Sequence, residues 1–372
     1  MNLMHVYRMY YPDPPGGIQE VMRQICLSTK PFGVDSRIFT LSKDPNPEIL
    51  ERKEAMVIRG KSYISPASCD IGGVKEIFQF KNQAKAADIL NFHFPWPFAD
   101  LMHCFSGVDK PSIMTYHSDI VRQKYLGMLY SPLMWKMLDR MKFVVATSPN
   151  YAATSPVLND RRVRDKVKVI PLAIDDKSYP VGDDSIFEKN AFSASDPYFL
   201  FIGVPRYYKG VHDLVSAARN IDARVVIAGS GGETENLKKQ AEELGLKNIV
   251  FAGYVSDAEK VALLEHCTAL VLPSHLRSEA FGMVLIEAAM YCKPMISCEI
   301  GSGTSYANLD GESGIVVEPN KPKQLASAMK TLLNDSSLNR KLGLTARARY
   351  EQLFSAEAQG RAYASLYQEA MQ

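Results

Sequence analysis

The sequence predicts an α/β protein made of two doubly wound halves, each a mostly parallel sheet with helices packed on it. Three observations carry that expectation. Short apolar runs that end in turn residues alternate with longer amphipathic runs, the pattern of repeated strand–turn–helix units. The alternation stops at the polar, turn-rich stretch Pro180 to Ser185 and restarts at Tyr198. A length of 372 residues also exceeds what one hydrophobic core organises, so about two domains are expected.

In the first half, a strand from Leu3 to Val6 leads through a long turn to Gly16-Gly17 and a helix from Ile18 to about Thr29. Later strands are expected at Asp35 to Leu41, Ile89 to His93, Ser112 to Tyr116, Phe143 to Thr147 and Val167 to Ile170. A linker falls near 176 to 196, and the second half then has strands at Tyr198 to Gly203, Ala223 to Ala228, Asn248 to Phe251, Ala269 to Leu272 and Pro294 to Ser297. After the Pro273-Ser274 turn, the apolar stretch Met283 to Met290 reads as a buried helix that starts near Gly282. A last, semi-apolar helix runs from about Ala356 to Met371. The domains are therefore set at 1–180 and 190–355, with 356–372 as a terminal helix.

Composition narrows the function class only a little. Hydrophobic residues make up 46% and charged residues 23%, ordinary for a globular chain, and no segment approaches the length of an apolar membrane span. No signal-peptide pattern precedes the first strand. The cysteines Cys26, Cys69, Cys104, Cys267, Cys292 and Cys298 form no metal or redox motif and read as core thiols of a reducing cytoplasm. Residues 1–180 hold 24 Lys and Arg against 18 Asp and Glu, whereas the remainder holds 19 against 23. A basic first half suits a phosphate-rich partner. Within it, Arg122 to Lys142 mixes cations with Tyr125, Leu126, Leu129, Trp135 and other apolar residues. That stretch reads either as a surface for an anionic membrane or as the core faces of two helices broken at Pro132.

The chemistry concentrates in the run Glu279 to Glu287, where two acids stand eight residues apart around a helix start. Free N–H groups and the positive dipole end near Gly282 favour an anion such as a diphosphate, with Glu279 before the helix and Glu287 about two turns in. At about 1.5 Å per helical residue the spacing spans roughly 12 Å. Carboxylates that share one glycosidic bond stand about 5 to 9.5 Å apart, so a hydrolase pair fits poorly. Gripping two ends of a long charged ligand fits better, although Glu279 as a first-turn cap and Glu287 on a solvated helix face remain the plain alternative.

Competing motifs fail. Ala55 to Ser62 matches a loose phosphate loop, but Pro66 falls inside the helix that must follow. Gly229-Ser230-Gly231-Gly232 and Gly301-Ser302-Gly303-Thr304 lack the third glycine of a dinucleotide fingerprint. His93, His103, His117, His266 and His275 show no ligand spacing with cysteines or acids, so no metal site is expected.

The E-x7-E spacing with Phe281 and Gly282 after the first acid resembles glycosyltransferase family 4, the retaining enzymes of the GT-B fold, and the resemblance covers the whole chain. It implies two Rossmann-like domains facing across a cleft, with the terminal helix crossing back onto the first. Glu279 would then contact donor-sugar hydroxyls and Glu287 the ribose. Phe281, Gly282 and Met283 would lie along the donor. Gly16 and Gly17 match a family Gly-Gly that approaches a phosphate or sugar. Lys209-Gly210 resembles the motif that neutralises the diphosphate, with Arg206 as the nearest arginine because Val204 stands where the family has one. His117, ending a strand in Thr115-Tyr116-His117-Ser118-Asp119, matches a histidine beside the donor sugar. Phe92 to Phe98 read as an acceptor wall or as core aromatics.

The resemblance further implies a metal-independent enzyme without a cofactor, His117, Glu279 and Lys209 being catalytic. The runs TYHSDIVRQK, RYYKG, RSEAFGMVLIEA and GSGTSY look like bacterial O-antigen type mannosyltransferases, with GDP-mannose or a related GDP-sugar as donor. The acceptor would be a saccharide, free or carried on a polyprenyl diphosphate. The expected place is the cytoplasm, peripheral at the inner face of an anionic membrane, and no nucleic-acid partner is expected. A UDP-sugar donor, a GT-B epimerase of nucleotide sugars and a non-catalytic sugar-nucleotide binder stay as alternatives.

Overall fold

The structure, a computed structural model, describes residues 1–13, 17–66, 69–120 and 124–372. The chain forms two compact units, Met1–Ala173 with Ala356–Gln372, and Ile174–Ser355.

The first unit holds strands β1 (Asn2–Val6), β2 (Asp35–Ser42), β3 (Ile49–Glu51), β4 (Met56–Lys61), β5 (Ile89–Phe94), β6 (Ser112–Tyr116), β7 (Phe143–Ala146) and β8 (Val167–Val169). They lie in the order β3-β4-β2-β1-β5-β6-β7-β8, and only β3 runs antiparallel to its neighbour. Helices α1 (Gly17–Thr29), α2 (Val74–Ala84), α3 (Pro97–Phe105), α4 (Lys124–Arg140) and α5 (Pro149–Thr154) connect them.

Adjacent strand residues go to opposite faces, which is why these strands are apolar throughout rather than alternating. Met4, Leu90, Met114 and Val144 pack on one side of the sheet, and Leu3, Ile89, Ile113 and Val145 on the other. Phe92, Phe94, Trp96 and Phe98 belong to the first of these cores, and the Trp96 indole donates to the Asp70 carbonyl at 2.8 Å. That excludes the aromatic acceptor wall. The aromatic–basic stretch divides similarly. Pro132 lies inside the single helix α4, and Met137, Leu138 and Met141 are buried, so its later part serves the core. Residues 121–123 lie outside the described residues.

The second unit holds β9 (Tyr198–Ile202), β10 (Arg224–Ala228), β11 (Ile249–Gly253), β12 (Ala269–Leu272), β13 (Met295–Cys298) and β14 (Gly314–Val317), all parallel in the order β11-β10-β9-β12-β13-β14. Its helices are α6 (Ser185–Lys189), α7 (Val211–Ala218), α8 (Thr234–Glu243), α9 (Asp257–His266), α10 (Met283–Met290), α11 (Thr304–Ala307), α12 (Pro322–Asn334) and α13 (Ser336–Arg349).

The boundary comes earlier than the sequence suggests. The Ile174 N–H donates to the Phe354 carbonyl at 2.9 Å, and the Tyr350 hydroxyl donates to the Ile174 carbonyl at 3.0 Å. Phe187 of α6 is buried edge-on against Phe192 and Tyr198. The polar stretch is thus bound into the second unit by a few buried anchors instead of forming a free linker.

The last helix, α14 (Ala356–Met371), packs within the first unit, with Tyr363, Leu366, Tyr367 and Ala370 against Leu3, Ile25, Ile89 and Ile113. The Asn91 amide donates to the Tyr367 hydroxyl at 3.1 Å, and the Gln359 amide to the Pro171 carbonyl at 3.0 Å. No described helix is long and apolar enough to cross a membrane.

Candidate functional site

In the second unit the chain adds β10 and β11 on one side of β9, then returns to place β12 on the other. The loops after β9 and β12 therefore leave the sheet at its switch point, where open α/β sheets bind ligands. They are pressed together: the His275 N–H donates to the Tyr208 carbonyl at 3.0 Å. Gly210 has φ +66°, and a Cβ there would stand 2.1 Å from the Pro273 carbonyl oxygen, so only glycine passes.

Lys209 ends the short turn Tyr207–Lys209, and Gly210 caps α7. Its Nζ reaches Glu279 Oε2 at 3.1 Å, with the two side chains only 15% and 13% exposed. The Ser274 hydroxyl donates to the same carboxylate oxygen at 3.4 Å. Lys209 and Glu279, 70 positions apart in sequence, thus meet across the switch point. Arg206 caps the same turn and is exposed.

Gly282, at φ +78°, caps α10, and a side chain there would press on Leu272. Phe281 is 3% exposed and meets Phe354 edge-on at 6.1 Å. Its ring anchors the loop in the core, while Met283 at the helix start stands 36% exposed. Glu287 is the fifth residue of α10, little more than one turn in, not two, because the helix begins after Gly282. Its Oε1 accepts from the Tyr179 hydroxyl at 2.6 Å and from Lys260 Nζ at 2.9 Å. Burial and the neighbouring Glu287 raise the Tyr179 hydroxyl above its ordinary pKa. Burial alone would lower Lys260, but Glu287 and Asp257 outweigh it and hold the ammonium above the usual lysine value. Sequence reading missed both partners, since neither belongs to the acidic motif.

In the first unit the order reverses between β1 and β5. There His5 Nδ1 lies 3.0 Å from His93 Nε2, and His93 Nδ1 lies 2.9 Å from His117 Nε2 just beyond β6. The His93 and His117 rings stack at 14°. Burial lowers His5 and His117 to about 3 and His93 well below its ordinary value, the last also disfavoured by its two neighbours. The three neutral rings share one hydrogen-bonding direction, so the tautomer of His117 is fixed jointly with those of His5 and His93. Gly17 begins α1 with open space around its Cα, and Gly16 lies outside the described residues. Folding also joins three ligand-type side chains that no local spacing announced, His212, Asp213 and His275.

Residues 182–349 match the family model "Glycosyl transferases group 1", and residues 15–178 match "Glycosyltransferase Family 4". The chain is 45% identical over 357 residues to the D-rhamnosyltransferase WbpZ of Pseudomonas aeruginosa, covering 96% of this chain and 93% of that protein. It is 39% identical over 367 residues to O-antigen chain mannosyltransferase C of Escherichia coli, covering 99% and 98%. Among solved structures, HepE of Anabaena in complex with UDP is similar at a TM-score of 0.79 and 17% identity, covering 99% of this chain and all of that one. Sucrose-phosphate synthase from Thermosynechococcus elongatus is similar at 0.76 and 22% identity, covering 99% and 98%. At such identities the two structures speak for the fold alone.

Proposed function

The chain belongs to the glycosyltransferases of group 1 and family 4, with the GT-B fold, and on that footing we propose a retaining enzyme of surface-polysaccharide assembly. It moves mannose or a related sugar from a GDP-sugar to a saccharide or lipid-linked saccharide acceptor. The observation that carries this reading is the Lys209–Glu279 pair at the switch point, beside the start of the helix that holds Glu287. The relatives named for D-rhamnosyl and O-antigen mannosyl transfer support the sugar class.

In this reading the donor diphosphate lies at the Gly282 helix start and offers Lys209 a second anionic partner. Glu279 is then free to accept hydrogen bonds from sugar hydroxyls. As the bond from the anomeric carbon to the diphosphate oxygen breaks, the acceptor oxygen bonds to that carbon on the same face. The acceptor proton passes to the leaving phosphate. Charge growing on the diphosphate is offset by Lys209, Arg206 and the helix end, so the transfer step itself needs no metal ion. Glu287, held by Tyr179 and Lys260, presents its other oxygen to the ribose. His117, in the first unit, carries a neutral imidazole and keeps the role that the family resemblance implies for it.

The test is incubation with radiolabelled GDP-mannose and UDP-sugars, with and without saccharide acceptors, beside melting curves in GDP and UDP. A labelled saccharide from GDP-mannose and stabilisation by GDP are expected. Transfer from UDP-sugars alone would overturn the donor, an altered nucleotide sugar without acceptor would point to an epimerase, and unchanged donor would point to a binder.

A further inference from the structure

We propose that His212, Asp213 and His275 form a binding site for one divalent transition cation of the zinc class, which clips the two switch-point loops together. Their ligand atoms all lie within 4.8 Å of one another. His275 is only 8% exposed, yet among the described residues neither of its ring nitrogens has a hydrogen-bond partner. The buried Asp213 Oδ2 also has none. Polar atoms buried without partners are costly, and one cation would satisfy a His275 ring nitrogen and an Asp213 oxygen together.

The local fold aims them. His212 and Asp213 are the second and third residues of α7, whose start is fixed by the Asp213 N–H donating to the Gly210 carbonyl at 2.9 Å. His275 follows β12 on the facing loop. Tyr207 orients both imidazoles, stacking on His212 at 5.8 Å and meeting His275 edge-on at 4.9 Å. His212 Nε2 stands 3.8 Å from Asp213 Oδ1, and its side chain is 38% exposed, which leaves a solvent side for entry and for a water ligand.

Two imidazoles and one carboxylate suit zinc and its neighbours, whereas magnesium and calcium prefer an all-oxygen shell. The cation would join the start of α7 to the loop after β12, next to Lys209 and Glu279, and act by holding those loops rather than by touching the diphosphate. The inference stands apart from the donor assignment, because metal binding is read without any sugar nucleotide.

The experiment strips the full chain with a chelator, dialyses it and titrates it with Zn2+ and with Co2+, following heat and the visible bands of cobalt. One tight equivalent is expected in the native chain, unchanged by a hundredfold excess of Mg2+, and lost in both His212→Ala and Asp213→Asn. Zinc at about a hundred times its Kd should raise the melting temperature by about 5 °C in the native chain and in neither variant. Metal-free His212→Ala should melt with the metal-free native chain, since His212 is partly exposed. Equal binding by native chain and variants, no tight binding at all, or a cobalt spectrum showing thiolate ligation would each overturn the site.

Discussion

Lys209 and Glu279 cover each other's charge at 3.1 Å, so the effect of changing either depends on the other. Lys209→Ala should lower turnover by about 2–4 kcal/mol of transition-state stabilisation, the range for removing one preorganised donor. Combined with Glu279→Gln it should cost less than the sum, because each single variant leaves a partly buried charge without its partner. Steady-state kinetics of the three variants measure that coupling, and strict additivity would mean the pair does not act together. Glu287→Gln should differ in kind, weakening nucleoside diphosphate and donor alike and also lowering stability by about 1–3 kcal/mol, since Lys260 and Tyr179 lose their anionic partner. The acids were legible as a motif. Lys260, 27 positions away, and Tyr179, 108 away, were not, because only the folded chain brings them to Glu287. The histidine chain was equally hidden: His117 had a strand-end signal, but His5 inside an apolar strand had none. Its fully buried members His5 and His93 set a pH dependence with a definite sign. Below pH 6.5 the unfolded chain takes up protons that these rings refuse, so stability falls as pH drops toward 3, by up to about 1.4 kcal/mol per pH unit for each ring. Denaturant melts at stepped pH should show that slope, and His5→Asn should flatten it by about one proton.

At the scale of elements, the long parallel strands were legible because burial on both faces makes them continuous apolar runs. Strands β3 and β4 were missed for a physical reason. Arg52, Lys53 and Glu54 interrupt the apolar pattern, and Arg59 can be buried in β4 because Ser42 Oγ and the carbonyls of Asp44 and Pro47 accept from its guanidinium and Asp13 pairs with it. Strand β14 is four residues long and opens with glycine, too little to register as a period. The close approaches of elements were also invisible, since they appear in sequence only as single glycines. Gly360 lets α14 lie against α1, and a Cβ there would fall 1.9 Å from the Ser28 carbonyl oxygen. Gly360→Ala should therefore push the two helices apart and lower the stability of the first unit by about 1–3 kcal/mol, the usual cost of overpacking. Thermal melts decide this, and an unchanged midpoint would mean that the helix pair adjusts freely.

Across the whole molecule, two parallel-sheet units were legible from the restart of the alternation, while their border was not, because a few buried anchors such as Ile174 and Phe187 outweigh a polar stretch. Moving the border leaves the charge asymmetry intact. The first unit loses Asp175, Asp176 and Lys177 but gains Glu357, Arg361 and Glu369, an equal exchange that keeps its excess of six positive charges. The same unit exposes Phe78, Phe105 and Leu129, and Lys136 Nζ lies 6.0 Å over the Phe105 ring. A basic surface with scattered exposed apolar side chains is suited to weak attachment at an anionic lipid surface, each lysine or arginine near it contributing about 1 kcal/mol. Such attachment would place the enzyme where lipid-diphosphate-linked acceptors are held. It should fade as salt rises, because the screening length shrinks to about 3 Å at 1 M. Co-sedimentation should therefore pellet the protein with anionic vesicles at low salt, less with neutral ones, and less with anionic vesicles at high salt. Reversing Lys136 and the exposed Arg140 to glutamate should weaken the anionic-vesicle arm several-fold while leaving transfer to a soluble saccharide unchanged. Equal pelleting with neutral and anionic vesicles at low salt would mean that the charge of this unit serves solubility and not attachment.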